Sequence, residues 1–243
     1  MKKIIKSIFE KIGYEIRKTV FIPGERMGID PFNDISYFLR GNPTPLFFDV
    51  GGNEGQTVLQ MLKKFPNATI HSFEPGSETF QTLQNNIRSF KAVRAWNLGI
   101  GAECKLQRFN ENAFSSMSSF LPSTVETWGD IKKRSEVNVQ TLDLFCRDNN
   151  ICNIDLLKID TQGYEYEVLL GAKRLLLEKN IKLIYLEVIF SGMYTNLPLF
   201  SSILSLLEQY KYSPVAFYDQ HHKHPERILH WCDILFVHQQ IKL

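Results

Sequence analysis

The sequence has few cysteines, no long hydrophobic run and almost no net charge. Its four cysteines, Cys104, Cys146, Cys152 and Cys232, are widely spaced and form no C-x-x-C pair. This favours reduced thiols in a cytoplasmic protein over a disulfide framework or a structural metal site. A stretch of about 18 apolar residues, which a membrane-spanning helix requires, is absent. The formal net charge of +2 provides no overall attraction for nucleic acid, so we expect a small or neutral ligand.

The amino-terminal residues 1–13 are basic but contain no apolar core of seven or more residues, so we do not expect a signal peptide. Ile4, Ile5, Ile8, Phe9 and Ile12 share one face of a predicted amphipathic helix. We favour packing of this helix on its own domain; the alternative is contact with a partner or with the anionic inner face of a membrane. We expect residues 1–45 to be this helix and a connecting segment, and residues 46–243 to be one α/β domain.

A hydrophobic strand followed by glycines is the strongest local pattern. Residues 46–50 surround Asp49 with apolar side chains, which is typical of a buried parallel strand. Gly51, Gly52 and Gly55 then allow a tight turn into a helix that begins near Thr57. In a doubly wound sheet such a turn lies at the carboxyl end of the first strand, where ligands bind.

Charge at this turn indicates which ligand binds. A G-x-G-x-x-G dinucleotide site needs glycine where the chain has Val50. The Asp49 carboxylate would repel a pyrophosphate but suits an ammonium or a sulfonium group, and S-adenosylmethionine carries both. Glu74 ends the next apolar strand, where a carboxylate can accept hydrogen bonds from both ribose hydroxyls. The alternative is that both acids only cap neighbouring helices.

Strand and helix periods alternate along the rest of the chain, which predicts an α/β fold with seven strands. The later strands are predicted at 69–74, 93–101, 154–160, 181–189, 215–218 and 228–237, and the helices at 57–65, 78–90, 141–149, 164–178 and 200–210. The last two strands lack a helix between them and should pair as an antiparallel hairpin. Residues 102–140 interrupt the alternation of strands and helices. Residues 104–109 alternate like an exposed strand, and residues 137–139 are a candidate for another short strand. For the polar loop between them we favour a lid over the site, and a plain surface loop is the alternative.

Three blocks of sequence resemble the FkbM family of S-adenosylmethionine-dependent methyltransferases. They are residues 47–57 (FFDVGGNEGQT), residues 73–75 (FEP) and residues 154–172, where Lys158 and Asp160 bracket Ile159 before a glycine and a helix. The third block is the most specific, and the resemblance spans about residues 46–190. It implies a Rossmann-like class I methyltransferase fold with a mostly parallel seven-stranded sheet and an antiparallel carboxy-terminal hairpin.

The resemblance also implies which residues hold the cofactor. The methionine end would lie against the glycine turn, the ribose on Glu74, the adenosine near Asn97, and the meeting point of cofactor and acceptor at Asp160. The predicted cofactor-binding residues are Asp49, Gly51, Asn53, Gly55, Thr57, Glu74, Pro75, Asn97 and Asp160. Members commonly have an acid where this chain has Gln162, and often alanine where it has Gly52. If that acid is a base or a metal ligand elsewhere in the family, this chain must use another group.

The family mostly methylates hydroxyls of sugars and of polyketide-like natural products, so the resemblance suggests an O-methyl product. A hydroxyl acceptor needs a general base. Our first candidate is Asp160 and our second is Glu187, one strand further; each could instead cap a helix or contact the cofactor. His222, between His221 and His224, is a third candidate base, although an exposed turn is the interpretation we favour. Lys158 should pair with a carboxylate. A divalent metal could lower the hydroxyl pKa, but no spacing in the sequence identifies its ligands.

The sequence therefore predicts an S-adenosylmethionine-dependent O-methyltransferase that acts on a sugar, a glycan or a small natural product and not on nucleic acid. One alternative is a nicotinamide-dependent oxidoreductase, against which Asp49 and the missing first glycine argue. The other is a cofactor-binding scaffold without activity in a glycan-assembly complex, which would bind the cofactor without turnover.

Overall fold

The computed structural model describes residues 27–240, so the predicted amphipathic helix lies outside the described residues. In chain order the elements are α1 (Pro31–Phe38), β1 (Leu46–Val50), α2 (Gln56–Lys64), β2 (Thr69–Phe73), α3 (Ser77–Ile87), β3 (Val93–Trp96), β4 (Gly99–Ile100), β5 (Lys105–Asn112), a 3-10 helix (Ser115–Met117), β6 (Ile131–Gln140), α4 (Leu142–Asp148), β7 (Ile154–Ile159), α5 (Glu165–Leu170), α6 (Lys173–Leu177), β8 (Ile181–Ile189), α7 (Phe200–Gln209), β9 (Tyr212–Lys223) and β10 (Ile228–His238).

Seven strands form the central sheet in the order β3-β2-β1-β7-β8-β10-β9. The first five in this order run parallel, and β10 is antiparallel to both β8 and β9. This confirms the predicted mostly parallel sheet with a carboxy-terminal hairpin. The strand order reverses between β1 and β7, so a crevice opens at the carboxyl ends of these two strands.

Helices cover both faces of the sheet, because successive side chains of each strand point to opposite sides. Phe48 and Leu157 enter a core with α4, α5, α6 and α7, whereas Phe47 and Leu156 enter a second core with α1, α2 and α3. Ile35 of α1 is fully buried in that second core. The predicted domain boundary at residue 46 therefore falls after a helix that already packs on the sheet, and the boundary itself stays a prediction.

The structure corrects two predicted elements. The strand predicted at 93–101 is divided into β3 and β4, and β4 belongs to a separate three-stranded sheet in the order β4-β6-β5. The helix predicted at 164–178 is divided at Gly171 into α5 and α6. A Cβ atom on Gly171 would overlap the Gly101 carbonyl, so two backbones meet where a continuous helix was expected.

The sequence indicates only parts of the small sheet, at residues 104–109 and 137–139, because most of the residues of this sheet are polar. In β6 only the residues near Val139 alternate clearly, whereas residues 132–134 are all exposed, so this part of the strand has no buried face to produce an apolar period. No helix within residues 27–240 has both the length and the apolar character that crossing a membrane requires.

Candidate active site

A cavity of about 180 Å³ opens at the carboxyl ends of β1, β2, β7 and β8. Its lining includes five residues from the predicted site: Gly51, Asn53, Glu74, Pro75 and Asp160. Glu187 of β8, the second candidate base, also lines it. The sheet therefore brings together residues from three of the sequence blocks, because parallel strands end at the same edge.

The insertion between β4 and β6 forms the opposite wall of the cavity. Residues 115–118, which include the 3-10 helix, line the cavity together with Phe109 and Phe120. The Ser119 hydroxyl donates a 2.7 Å hydrogen bond to the Gln162 carbonyl, and the Tyr194 hydroxyl donates to the Met117 carbonyl at 3.1 Å. The insertion thus lines the cavity, and its role as a lid stays a prediction.

The glycine turn is clamped between two neighbouring strands. The amides of Gly51 and Gly52 both donate to the Phe73 carbonyl, at 3.0 and 2.9 Å, and the Asp160 amide donates to the Val50 carbonyl at 2.9 Å. Gly51 has a φ of +84°, and a Cβ atom there would overlap the backbone carbonyl of Asp160. Only glycine permits this approach of the β1 turn to the end of β7.

Asp49 lies beneath this turn, fully buried, and the described residues that line the cavity do not include it. Its Oδ2 accepts a 2.7 Å hydrogen bond from the Ser72 hydroxyl, and its Oδ1 lies 3.2 Å from Lys158 Nζ. The cation that faces Asp49 is therefore a side chain of the protein itself. The predicted pairing of Lys158 with a carboxylate is confirmed, whereas direct contact of Asp49 with a cofactor stays a prediction.

Lys158 links Asp49 to the cavity. Its Nζ donates to the Gly51 carbonyl at 3.1 Å and lies 3.5 Å from Asp160 Oδ2. Burial alone would lower the pKa of Lys158, but the carboxylates of Asp49 and Asp160 outweigh it and raise the pKa above its ordinary value. Lys158 therefore stays charged, and it holds the glycine turn and the first candidate base in one network.

Gly52 has a structural reason to lack a side chain. A Cβ atom there would overlap the Ser72 hydroxyl and would lie 3.3 Å from Asp49 Oδ2. The alanine that is frequent at this position in the family that the sequence resembles would displace the donor of Asp49. Gly52, where that family often has alanine, therefore leaves space for the buried Ser72 hydroxyl that donates to Asp49.

Glu74 lies at the other end of the cavity, and both of its carboxyl oxygens accept backbone hydrogen bonds. Oε2 accepts from the Asn53 amide at 3.0 Å and Oε1 from the Gly76 amide at 2.8 Å. Burial raises the pKa of Glu74 to about 7, although these two amides oppose the shift. The carboxyl group therefore titrates near neutral pH in the absence of a ligand.

Besides Asp49, three more predicted cofactor-binding residues lie outside the described lining of this cavity. Asn97 donates through Nδ2 to the carbonyls of Glu74 and Pro75, both at 2.9 Å, so it holds the backbone of the second acid. Gly55 has a φ of +92° and immediately precedes α2. Thr57, in the first turn of α2, lines a second cavity of about 660 Å³. Asp160 and Glu187 line both cavities and separate them.

Gln162 connects the two candidate carboxyl bases. Its Nε2 donates to Asp160 Oδ1 at 3.0 Å and to Glu187 Oε2 at 2.7 Å, while its Oε1 accepts from the Tyr194 hydroxyl at 3.1 Å. Desolvation, followed by the charges of Asp160 and Glu165, raises the pKa of Glu187 well above its ordinary value. The Asp160 side chain is 39% exposed. An acceptor can therefore reach Asp160, whereas burial and its acidic neighbours favour the protonated form of Glu187.

His222 lies away from these carboxyl groups. It is exposed on β9, where it pairs with Leu229, and the described cavity lining does not include it. His221 instead stacks on Trp231, which does line the cavity. The exposed-turn interpretation places the turn too early: β9 continues to Lys223, and the turn that follows contains His224.

Sequence reasoning missed Trp231 and the bridging role of Gln162. Gln162 stood out as a departure from a family pattern, but nothing in its neighbourhood revealed that its amide would reach β8. Trp231 lies in the strand that pairs with β8, and only that pairing brings it to the cavity. Within residues 27–240, no group of three His, Cys, Asp or Glu side chains is arranged to hold a metal ion.

Most of the part of the chain that forms the site is similar to known proteins. Residues 49–214 match the family described as the Methyltransferase FkbM domain. The chain is 28% identical over 180 residues to Methyltransferase 1 of Beauveria bassiana (strain ARSEF 2860), in an alignment that covers 64% of this chain and 66% of that protein.

Two further relatives have names that specify an O-methyl position. The 2-O-methyltransferase NoeI of Sinorhizobium fredii (strain NBRC 101917 / NGR234) is 24% identical over 185 residues, which cover 71% of this chain and 75% of NoeI. The 31-O-demethyl-FK506 methyltransferase FkbM of Streptomyces tacrolimicus is 28% identical over 172 residues, which cover 58% of this chain and 66% of that protein.

Proposed function

This chain belongs to the FkbM methyltransferase family, and from that premise we propose that it transfers a methyl group from S-adenosylmethionine to a hydroxyl of a sugar, a glycan or a small natural product. The observation that carries the proposal is one cavity lined both by Glu74, which follows β2, and by Asp160, Gln162 and Glu187 from the ends of β7 and β8. Methyl transfer requires donor and acceptor to be held side by side, and positioning can supply much of the rate.

The residues of the cavity fit the cofactor. Glu74 offers a carboxylate that can accept hydrogen bonds from ribose hydroxyls. Asn53 Oδ1 is buried and has no hydrogen-bond donor among residues 27–240, so it is available to a ligand ammonium group. When bound, S-adenosylmethionine supplies a methyl group on a sulfonium centre, which needs no further activation of the leaving group.

Asp160 is the proposed general base. Its carboxylate is the more exposed of the two candidates, and Gln162 and Lys158 fix it from two sides. An acceptor hydroxyl within hydrogen-bond reach would transfer its proton to Asp160. Glu187 accepts a hydrogen bond from Gln162, and its burial raises its pKa, so we assign it the role of orienting Gln162 and the acceptor.

The choice of a hydroxyl acceptor draws on the family and on two of its named members. NoeI is named a 2-O-methyltransferase and the Streptomyces tacrolimicus protein acts, by its name, on an O-demethyl compound. The geometry adds that the proposed base is a carboxylate fixed by an amide and an ammonium group. This arrangement is suited to removing a proton from a hydroxyl.

The first test compares Asp160→Asn with wild type. We expect kcat for methyl transfer to fall about 100-fold or more, which is the typical contribution of a general base. The dissociation constant of S-adenosylhomocysteine should change less than about threefold, because Asn keeps the size of the side chain. Calorimetry gives the binding, and labelled methyl transfer to nucleotide sugars, oligosaccharides and phenols gives the rate.

Asp148→Asn is the matched control, since Asp148 is an exposed acid at the end of α4 and should affect neither quantity. A wild-type protein that does not bind S-adenosylhomocysteine would contradict the proposed cofactor. Binding without turnover of any acceptor would favour the scaffold alternative. Full activity of Asp160→Asn would eliminate Asp160 as the base.

A further inference from the structure

Three aromatic side chains form a corner beside the cavity, and we call Trp128, His221 and Trp231 the aromatic corner. The rings of His221 and Trp231 are stacked, with centroids 3.9 Å apart and planes 10° apart. Trp128 stands nearly perpendicular to both, with centroids 5.5 Å from Trp231 and 5.9 Å from His221. Trp128 comes from the insertion and the other two from the β9–β10 hairpin, so tertiary structure assembles the corner.

Trp128 presents a large aromatic surface to solvent, because 49% of the residue is exposed. The stacked pair beneath it restricts its orientation. Aromatic surfaces of this kind commonly serve in recognition, since they bind ligands through a rigid face at a low cost in conformational entropy.

The aromatic corner is continuous with the reaction cavity. Trp231 lines the cavity, and it pairs with Ile189, whereas Asp233 pairs with the candidate acid Glu187. Two residues along a strand correspond to about 7 Å, so Trp231 lies about that distance along the sheet from Glu187. Trp128 lies a further 5.5 Å from Trp231. Each of these two distances is comparable to the size of one ring of a ligand.

Charged groups next to the aromatic corner indicate what kind of ring would bind. Lys223 Nζ and Glu126 Oε1 form an ion pair at 3.4 Å, and both side chains are partly exposed. Glu126 belongs to the insertion and Lys223 to β9, so the ion pair joins the same two segments as the aromatic corner. Both charges also affect the pKa of His230, which Glu126 raises and Lys223 lowers, and the His230 ring lies 4.9 Å from the ring of Trp231. A sugar ring offers an apolar C–H face for Trp128 and hydroxyls for Glu126 and Lys223. A flat phenol would use only the face.

We propose that the aromatic corner is a glycan subsite, which holds the sugar unit next to the one that is methylated over Asp160 and Glu187. The acceptor then contains at least two sugar units. This inference rests on the proposed function, because it adds a second binding position to the same site.

The test uses matched acceptors of one and two rings. Methyl glycosides of glucose, galactose, fucose, rhamnose and N-acetylglucosamine are compared with disaccharides that contain the same rings. For wild type we expect a lower KM for the disaccharide of the accepted sugar. Trp128→Ala should raise that KM about three- to tenfold, the loss expected for one stacking partner. It should leave kcat and the KM of the methyl glycoside within about twofold.

Two control variants accompany this measurement. Trp128→Phe keeps an aromatic face and should retain most of the preference for two rings. Phe217→Ala removes another exposed aromatic residue of β9, outside the aromatic corner, and should have no effect. The affinity for S-adenosylhomocysteine and the melting temperature should be equal in all variants, which confirms that they fold.

Saturation-transfer NMR with the same sugars, in the absence of cofactor, provides a readout that does not depend on catalysis. We expect disaccharide signals that are lost in Trp128→Ala. Equal effects of Trp128→Ala on one-ring and two-ring acceptors would overturn the inference, as would a wild type that binds both sugars equally. Methylation of phenols alone would overturn the glycan subsite and leave methyl transfer intact. Failure to bind S-adenosylhomocysteine would instead overturn the proposed function.

Discussion

Glu74 combines burial with two backbone hydrogen bonds at a position where a ribose is predicted to bind. The residue is 6% exposed, and burial raises the pKa of its carboxyl group to about 7. Ribose hydroxyls would donate to the charged form of the carboxyl group, so a bound cofactor and a proton compete for the same oxygens. Proton competition of this kind makes cofactor binding depend on pH near neutrality.

We therefore predict that S-adenosylhomocysteine binds about tenfold more weakly at pH 6 than at pH 8, as expected for one proton with a pKa near 7. The affinity falls toward low pH because the pKa of Glu74 is raised to about 7, so below pH 7 the free protein binds a proton that the ligand must displace. Calorimetry in two buffers with different ionisation enthalpies measures both the affinity and the released proton. Glu74→Gln should bind more weakly at both pH values and lose the pH dependence. An equal affinity of wild type at the two pH values would contradict this role of Glu74.

The contacts of Asp49 show why the ligand of the glycine turn cannot be identified from the spacing of its residues alone. Asp49 was predicted to meet a cationic ligand, and in the fold it meets Lys158, which in turn contacts the Gly51 carbonyl and Asp160. A change at Asp49 would therefore act on the cofactor site through Lys158 as well as directly.

At the scale of elements, the insertion between β4 and β6 is a structured wall and not a plain loop. It contains β5 and the 3-10 helix, and it is tied to the segment after β7 by Ser119. The Ser119 hydroxyl donates to the Gln162 carbonyl and accepts from the Leu121 amide at 3.0 Å. Because Ser119 is 1% exposed, water cannot replace these bonds without a local rearrangement.

Ser119→Ala should release this wall. Loss of the hydroxyl leaves a buried carbonyl unsatisfied, at a cost of about 1–3 kcal/mol, and the wall can avoid that cost by opening. We expect faster amide hydrogen exchange in residues 113–130, little change in β7, and a several-fold weaker affinity for S-adenosylhomocysteine. Ser123→Ala is the matched control, since the Ser123 hydroxyl has no hydrogen-bond partner in the described part of the chain. Identical exchange in the two variants would show that Ser119 does not hold the wall.

At the scale of the whole molecule, several acids with raised pKa values share the carboxyl edge of the sheet. Burial raises the pKa of Glu165 to about 7 and that of Asp233 to about 6, and the pKa of Glu187 is raised well above its ordinary value. A carboxyl group whose pKa is higher in the folded than in the unfolded state binds its proton more tightly when folded. Stability therefore falls as pH rises from the unfolded toward the folded pKa.

Glu187→Gln should remove the contribution of one of these acids to the pH dependence of stability. An unfolded glutamate titrates near 4.5, so at pH 8 unfolding allows Glu187 to ionise freely, whereas at pH 4 both states are mostly protonated. We expect the variant to melt at least about 2 °C above wild type at pH 8, a shift that corresponds to about 1 kcal/mol for a domain of this size. The difference should disappear at pH 4. Glu208→Gln, at an exposed position of α7, is the control. A variant that is less stable than wild type at pH 8 would contradict the sign of the effect.

The sequence alone determined the central architecture and the acids at its edge. Buried parallel strands are continuous apolar runs, so β1, β7 and β8 and the acids at or near their ends could be predicted from local pattern. The glycines after β1 and the pairing of Lys158 with a carboxylate followed from the same reasoning. Apart from the identity of Asp49 as a partner of Lys158, these features depend on residues that are neighbours in the chain.

Only the tertiary structure decided how the site is closed and what borders it. The small sheet of β4, β5 and β6 is built largely from polar residues and therefore lacks a sustained apolar period. Gln162 reaches Glu187, and Trp128 reaches Trp231, across large separations in the chain. Local periodicity carries no information about such contacts, because they form only when strand order and register bring distant segments to the same edge of the sheet.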